Sequence, residues 1–414
     1  MNPDPHRTRT LWLCTALHAF THVYQVALIP LYLLIQKDFH LESEAPATFL
    51  VTALSIIYFL PSYPMGILAD RFSRKKLLGL GLAINALGYI ALAFAPTYGF
   101  AVAAVALAGF GGSFFHPSAT ALIARLYPEA TGKALGRVGI GASIGFFIGP
   151  IYAGWRAEHA GWRAPILELG IFGLIGAALF LLLAHEHSAP VKSSEKNSPR
   201  QKLFPTPLVW IIFVSMAFSF CLRDFAGSGL ATLGSLFLQR AHQFSIKETG
   251  LALSCIYLAS AISNPLFGHL SDRGRVRWTA LLLCAAAVTI LILPHLSPHS
   301  FTPALAIYGF FFMATYPIVE AGLMEAVPDA VRGRVFGIFI TIGGLLGNLS
   351  HWFAGHWVKS LGERANAPES FFGIYAVFAA MVLLSLIGLF FLHKLRAAEK
   401  AEKLFGAPVT PPCK

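Results

Sequence analysis

Residues 66–71 read GILADR, and residues 268–273 read GHLSDR, 202 positions further along the chain. A second pair follows the same plan, because residues 109–117, GFGGSFFHP, return as residues 309–317, GFFFMATYP, at an offset of 200. Two separate motif pairs at nearly equal offsets indicate two halves of common design. Duplicated halves of this kind are typical of membrane transporters that rock around a central site.

The composition predicts a membrane protein. Hydrophobic residues make up 56% of the 414 positions and charged residues only 12%, with a mean hydropathy of +0.64. A soluble domain carries about 25% charged residues. The apolar residues fall in runs of about 20, the length of a helix that crosses the bilayer. We predict an all-α integral membrane protein with twelve spans near residues 11–36, 46–69, 77–96, 99–126, 133–155, 162–184, 207–236, 246–270, 277–294, 301–327, 332–358 and 370–393.

The longest polar interruption divides the spans six and six. It is rich in Ser, Pro and Lys, as linkers are. The expected organisation is therefore an N-terminal six-helix bundle (1–184), a cytoplasmic linker (185–206), a C-terminal six-helix bundle (207–393) and a cytoplasmic tail (394–414). The apolar run after the first ten residues is too long for a signal-peptide core, and we expect it to be retained as the first span.

The lysines and arginines predict the orientation. With both termini on the cytoplasmic side, 23 of the 31 cations lie in cytoplasmic segments, seven lie opposite and Arg223 falls inside the seventh span. Positively charged loops stay in the cytoplasm, so both termini are expected there. Because these cations are scattered over short segments, the net charge of +11 does not indicate a nucleic-acid partner.

The loop after the second span carries a motif of a known family. Residues 66–76, GILADRFSRKK, resemble the loop between spans two and three of the major facilitator superfamily, with Ser73 where glycine is usual. The resemblance covers essentially the whole chain and implies the major facilitator fold. It also implies a conformational latch between the halves, for which Arg125 is a partner for Asp70; the alternative is a simple topology signal. The latch residues are Gly66, Asp70, Arg71, Arg74, Arg125, Asp272 and Arg273.

The fifth span has an ordered set of small residues. Gly136, Gly145, Gly149, Pro150 and Gly154 are similar to the antiporter signature of the superfamily. Small residues at this spacing allow close helix packing, and proline weakens the helix. The set favours an exporter over an importer.

Polar residues recur on one face of the first span. His18, His22 and Gln25 stand at i, i+4 and i+7, so they are expected to face a central cavity and contact solute. Together with the Phe-His-Pro sequence that contains His116, they resemble the fosmidomycin-resistance group of the superfamily. That group often has Asn-Asp where this chain has Thr21 and His22.

The histidines leave two interpretations open. His22 can carry a proton near neutral pH, or His18 and His22 can remain neutral and hydrogen-bond between helices. His116, which precedes Pro117, can satisfy a carbonyl that the proline frees or can contact substrate.

The seventh span carries adjacent charges, Arg223 and Asp224, about midway along its length. Ionisable groups at this depth are costly and indicate a functional site. Arg223 suits a carboxylate or phosphate on the solute, or it forms an ion pair with Asp224 or Glu320. Asp224 and Glu320 are expected to be proton-coupling acids. Glu320 stands beside Tyr316, whose hydroxyl is expected to contact substrate.

These patterns predict a secondary transporter in the inner membrane of the cell. We expect a proton-coupled antiporter that exports a small amphipathic or anionic organic solute by alternating access. The alternatives are an importer or facilitator of an organic anion and a non-transporting membrane sensor. The chain has no nucleotide-binding or metalloprotease motif, so no enzyme activity is expected. The five cysteines show no pairing pattern, and no cofactor or metal is expected. The expected partners are the solute, protons and the lipid bilayer, and the expected state is a monomer.

Overall fold

The structure, a computed structural model, describes residues 5–186, 203–204, 206–328 and 331–405, without the side chains of residues 63, 70, 273 and 398–405. Most of the predicted linker lies outside these residues. Helices account for nearly all of the described chain. The first half contains α1 (Pro5–Val26), α2 (Tyr32–Asp38), α3 (Glu44–Phe59), α4 (Ser62–Arg71), α5 (Arg74–Ala93), α6 (Tyr98–Gly112), α7 (Phe115–Leu126), α8 (Thr131–Ala160) and α9 (Arg163–Leu183). The second half contains α10 (Pro207–Arg240), α11 (Ile246–Leu270), α12 (Arg275–Ile292), α13 (Pro298–Met313), α14 (Thr315–Glu325), α15 (Arg332–Leu361), α16 (Phe372–Leu384) and α17 (Ile387–Phe405).

Within the described residues, eleven segments are long and apolar enough to cross a membrane. The remaining predicted span, 46–69, is present as two helices, α3 and α4, of which only α3 is a shorter apolar helix by the same measure. Pro61 and Pro64 explain the break, because a proline has no N–H to donate to the carbonyl four residues earlier. The predicted all-α fold with twelve spans in two halves is confirmed.

The fourth and tenth spans are interrupted at matching places. α6 ends at Gly112 and α7 begins at Phe115, and in the second half α13 ends at Met313 and α14 begins at Thr315. Pro117 and Pro317, 200 positions apart, each stand in the first turn of the later helix. Proline is tolerated there because the first turn has no intrahelical acceptors for its N–H groups.

The helices pack mainly within their own half. α1 lies along α8, and α5 lies along α9; in the second half α10 lies along α15. The two halves meet chiefly through α8 against α11 and through α3 against α15.

Several hydrogen bonds between the halves lie towards the face opposite the start of α1 and the end of α17, which we call the far face. Tyr32 bonds the hydroxyl of Thr232 at 2.9 Å, and Ser235 donates to the carbonyl of Ile29 at 2.7 Å. Glu44 at the start of α3 forms an ion pair with Arg240 at the end of α10. The halves are therefore joined at the far face.

The face that carries the termini is more open. At Gly132, Gly136 and Gly139 of α8, and at Gly333 and Gly337 of α15, an added Cβ would meet no described atom within 4 Å. On this face, ion pairs within a half hold its own helices together. Arg7 pairs with Glu129 at 2.5 Å, and a backbone hydrogen bond together with this guanidinium holds the pKa of the Glu129 carboxyl below its ordinary value.

Candidate functional site

The first half brings its polar residues together in the middle of the first span. His18 Nδ1 lies 2.8 Å from the carbonyl oxygen of Val138, on α8. His22 Nδ1 lies 2.7 Å from Oε1 of Gln25, and the Nε2 atoms of His18 and His22 are 3.0 Å apart. Both histidines are buried, with 8% of each exposed. The residues that the sequence places on one helical face thus form one connected cluster.

His116 joins this cluster from α7. Its ring centroid lies 5.3 Å from that of His18 and 6.1 Å from that of His22. The fourth span is interrupted just before His116 and Pro117. The His116 ring lies beside His18 of the first span. One ring nitrogen from each of the three histidines lies within 4.8 Å of those of the other two.

Aromatic rings surround the histidines. Phe115 stacks on His18 with centroids 4.6 Å apart, and Phe146 of α8 lies 4.2 Å from His22. Phe146 in turn stacks on Tyr257 of α11, with centroids 4.8 Å apart and an interplanar angle of 13°. This ring pair joins the two halves beside the polar cluster, and the sequence analysis did not identify it.

The second half contributes a buried ion pair at the midpoint of α10. Arg223 donates to Asp224 Oδ1 from Nε at 2.9 Å and from Nη2 at 2.8 Å. Only 1% of the Arg223 side chain is exposed, against 15% of Asp224. Of the interpretations left open for Arg223, the structure shows the pair with its sequence neighbour.

The tenth span completes the surroundings of this pair. The Arg223 guanidinium carbon lies 4.0 Å above the ring of Tyr316, and Nη1 donates to the carbonyl of Thr315 at 3.4 Å. Glu320 interacts electrostatically with Arg223. Arg223, Asp224, Tyr316 and Glu320 therefore form one group.

Two glycines of α15 make room for Asp224. A Cβ at Gly343 would lie 2.5 Å from Asp224 Oδ2, and one at Gly347 would lie 2.9 Å from Asp224 Cβ. In the first half, Gly141 of α8 packs in the same way against Cβ of His18. The offset of 202 relates Gly141 to Gly343 and His22 to Asp224. An alignment of the two halves would therefore have identified these glycines from the sequence.

The antiporter-like set of α8 divides into two groups. Gly145 and Gly149 pack against α1, at Ala19 and Val26 respectively, and Gly154 packs against Ile246 and Gly250 of the other half. Pro150 lies at the same contact, with its carbonyl against Gly250. Gly136, by contrast, has open space around it.

The latch residues are only partly brought together. The side chains of Asp70 and Arg273 lie outside the described part of the chain, so the proposed pair between Asp70 and Arg125 is untested. Arg71 and Arg125 are exposed. A Cβ added at Gly66 would lie 3.9 Å from Cβ of Pro117, which is an ordinary van der Waals contact.

Glu186 is an unpredicted partner of this loop. It accepts hydrogen bonds from the Ser73 hydroxyl at 2.5 Å and from the backbone N–H groups of Arg74 and Lys75 at 3.0 and 3.1 Å. These N–H groups begin α5, where a helix N-terminus attracts an anion. Ser73, which departs from the family glycine, is also the N-cap of this helix.

The matching loop of the second half is held by a different pairing. Arg275 bonds Asp272 at 3.2 Å and Glu325 at 2.6 Å, and Glu325 also pairs with Arg396 at 2.9 Å. Glu325 stands 200 positions after Arg125, so the two halves carry opposite charges at this place.

Comparisons with known proteins agree with the fold and the repeat. A family model described as Major Facilitator Superfamily matches residues 11–351 and 225–412. The multi-drug resistance efflux pump PmrA of Streptococcus pneumoniae is 30% identical over 348 residues, which cover 80% of this chain and 81% of the pump. The fosmidomycin resistance protein of Escherichia coli is 23% identical over 344 residues, which cover 79% and 82%.

A solved structure has the same architecture. The bacterial homolog to the human lysosomal transporter Spinster, in an inward-facing and unoccupied conformation, aligns with a TM-score of 0.77 at 17% identity. The alignment covers 96% of this chain and 98% of that chain.

Proposed function

The chain belongs to the major facilitator superfamily of membrane transporters, and from this premise we propose that it is a proton-coupled antiporter that exports a small amphipathic organic solute. The proposed location is the inner membrane, with both termini in the cytoplasm, as the distribution of Lys and Arg favours. In that orientation the far face is external, and the structure corresponds to an inward-facing state. One chain contains both halves, and a monomer is the proposed unit of transport.

The buried Arg223–Asp224 pair is the observation that carries the proposal. Both hydrogen bonds from Arg223 go to Oδ1 of Asp224, Oδ2 lies beside Gly343, and the Tyr316 hydroxyl interacts with the same carboxylate. The proposed role of this carboxylate is to bind either a proton or a donor group of the solute. Proton and solute would then compete for one carboxylate. Competition for a common site is what converts a proton gradient into export, because binding of either ligand excludes the other. When a proton neutralises Asp224, Glu320 is a second carboxylate that can balance the charge of Arg223.

The lining of the site supports an amphipathic solute. The stacked rings of Phe146 and Tyr257 and the ring of Tyr316 offer apolar faces from both halves. His18, His22, Gln25 and His116 offer polar contacts beside these rings. The proposed solute is therefore planar with one polar end, since it would meet both kinds of group. Export is favoured because the relatives named above include efflux and resistance proteins.

Proton movement on solute binding tests this proposal. A fluorescent quinolone is added to the detergent-solubilised protein in weak buffer with a pH indicator. It is chosen because the quinolone resistance protein NorA of Staphylococcus aureus is 25% identical to this chain over 276 residues. We expect proton release in the parent and none in Asp224→Asn. Glu168→Gln is the matched control, since Glu168 also pairs with an arginine, Arg156 at 2.8 Å, but within one half. Its proton release should equal that of the parent.

The sign of the proton movement separates the alternatives. An anionic solute that displaces Asp224 from Arg223 leaves a carboxylate without its counter-ion, so that carboxylate takes up a proton. Proton uptake would therefore overturn antiport and favour co-transport of an organic anion into the cell. Solute binding without proton movement would leave a facilitator. Transport into everted membrane vesicles, driven by an imposed pH gradient, then tests the direction.

A further inference from the structure

We propose that His18, His22 and His116 form a binding site for a first-row divalent metal ion of the Zn²⁺ type. This site lies entirely within the first half and does not depend on the substrate or the direction of transport.

The hydrogen bonds of two histidines leave the same nitrogen available on each. The carbonyl of Val138 can only accept, so Nδ1 of His18 carries the hydrogen at that 2.8 Å contact. Oε1 of Gln25 likewise accepts from Nδ1 of His22 at 2.7 Å. In neutral rings the second nitrogen is then a lone pair. Metal-binding histidines usually show this arrangement, in which the outer N–H donates to an oxygen and fixes the ring.

The free nitrogens face each other. The Nε2 atoms of His18 and His22 lie 3.0 Å apart, and two lone pairs at this distance repel unless a cation lies between them. Zinc–nitrogen bonds of about 2.0–2.1 Å at a tetrahedral angle place ligand nitrogens about 3.4 Å apart. The observed pair needs to open by only a few tenths of an ångström.

His116 supplies the third ligand. Its nitrogen lies within 4.8 Å of the others, so a shift of roughly 1.4 Å brings it to ligand distance. His116 is less buried than the other two, so we expect a metal ion to reach the site from the side of His116. Phe115 and Phe146 pack on His18 and His22 and hold those rings in place. Three imidazoles with a fourth position open are a ligand set that zinc accepts.

The test is a titration of the full-length, detergent-purified protein, free of any affinity tag, with ZnCl₂ by calorimetry. His185 and His187 are replaced by glutamine in every protein tested, because His6 and His185 form a second histidine pair with ring centroids 4.7 Å apart. We expect one saturable site per chain in this background. His22→Gln and His116→Gln should each weaken binding at least about tenfold. His351→Gln, which removes an equally buried histidine of the other half, should bind like the background protein.

A variant that gains a spectroscopic signal distinguishes loss of the metal site from misfolding. In His116→Cys, a thiolate replaces the imidazole, and Co²⁺ bound at this site should acquire a sulfur-to-cobalt charge-transfer band in the near ultraviolet that is missing from the background protein. No saturable Zn²⁺ binding below about 1 mM in the background protein would overturn the metal site and leave a proton shared between His18 and His22. Binding that survives in both glutamine variants, or a cysteine variant without the new band, would also overturn it.

Discussion

At the scale of single residues, the two halves place an ionisable side chain at the same position. His22 and Asp224 are related by the offset of 202, and glycines at equivalent positions of α8 and α15 lie against His18 and Asp224. The chemistry has diverged, since the first half uses histidines and the second an arginine–aspartate pair. The contacts of the glycines are shifted by one helical turn. Gly141 lies against His18, whereas its equivalent Gly343 lies against Asp224, which matches His22. Both helices still have a small residue where they pass close to a neighbour.

The Arg223–Asp224 pair gives a prediction about stability. Arg223→Gln leaves Asp224 without its counter-ion in a site where Arg223 is 1% exposed, and loss of one partner of a buried pair costs about 3–5 kcal/mol. Asp224→Asn in the same chain should restore part of this loss. Thermal unfolding in detergent measures both. Arg396→Gln, which breaks an exposed pair with Glu325, should cost no more than about 1 kcal/mol. A single variant at Arg223 as stable as the parent would contradict a stabilising pair.

The sequence predicted which residues lie close together within a span more readily than how they pair. Helical periodicity places His18, His22 and Gln25 together, and membrane depth marks Arg223 and Asp224. The convergence of His116 on His18 requires the crossing of α7 and α1, which local spacing does not contain. Adjacent residues point about 100° apart on a helix, and only the long arginine side chain allows Arg223 to turn back to Asp224.

At the scale of helices, α8 is the element that serves both halves. Its glycines contact α1 along one stretch and α11 along the next. Helix positions and the twelve spans follow from apolar runs. Pro61 and Pro64 indicate the break between α3 and α4. Hydropathy alone predicts one continuous span there. The contact of Gly154 with Gly250 could not be predicted from the sequence, because it depends on how closely the two halves approach each other at the far face.

The α8 glycines predict opposite effects of one substitution. In Gly145→Ala the added methyl would stand 3.0 Å or less from backbone atoms of Ala19, and overpacking of this kind costs about 1–3 kcal/mol. Gly136→Ala adds the same methyl in open space and should be neutral or stabilising by up to about 1 kcal/mol. Unfolding temperatures of the two variants, compared with the parent, provide the measurement. Equal destabilisation by both would show that the packing of α8 on α1 does not limit stability.

At the scale of the whole molecule, the proposed mechanism makes the structure one state of a two-state cycle. Polar contacts join the halves at the far face. They include the pair of Arg240 with Glu44, the bond of Gln239 to the carbonyl of Pro30 at 3.1 Å, and the bonds of Tyr32 and Ser235 described above. Such contacts can be exchanged for others when the opposite face closes. A transporter needs this balance, because a closed state that is too stable stops the cycle.

Loss of the far-face ion pair should therefore move the population towards a state that is open at the far face. Arg240→Gln removes the charge partner of the buried Glu44, and a loss of 1–2 kcal/mol changes the ratio of the two states by a factor of about 5–30. Spin labels at the exposed positions Lys37 and Glu363, one in each half, report the separation by pulsed electron spin resonance. We expect longer distances in Arg240→Gln and also in Gly154→Val, which forces α8 away from Gly250. Arg156→Gln breaks a pair within the first half and should leave the distances unchanged, so a shift of equal size in that control would assign the effect to general loosening of the fold.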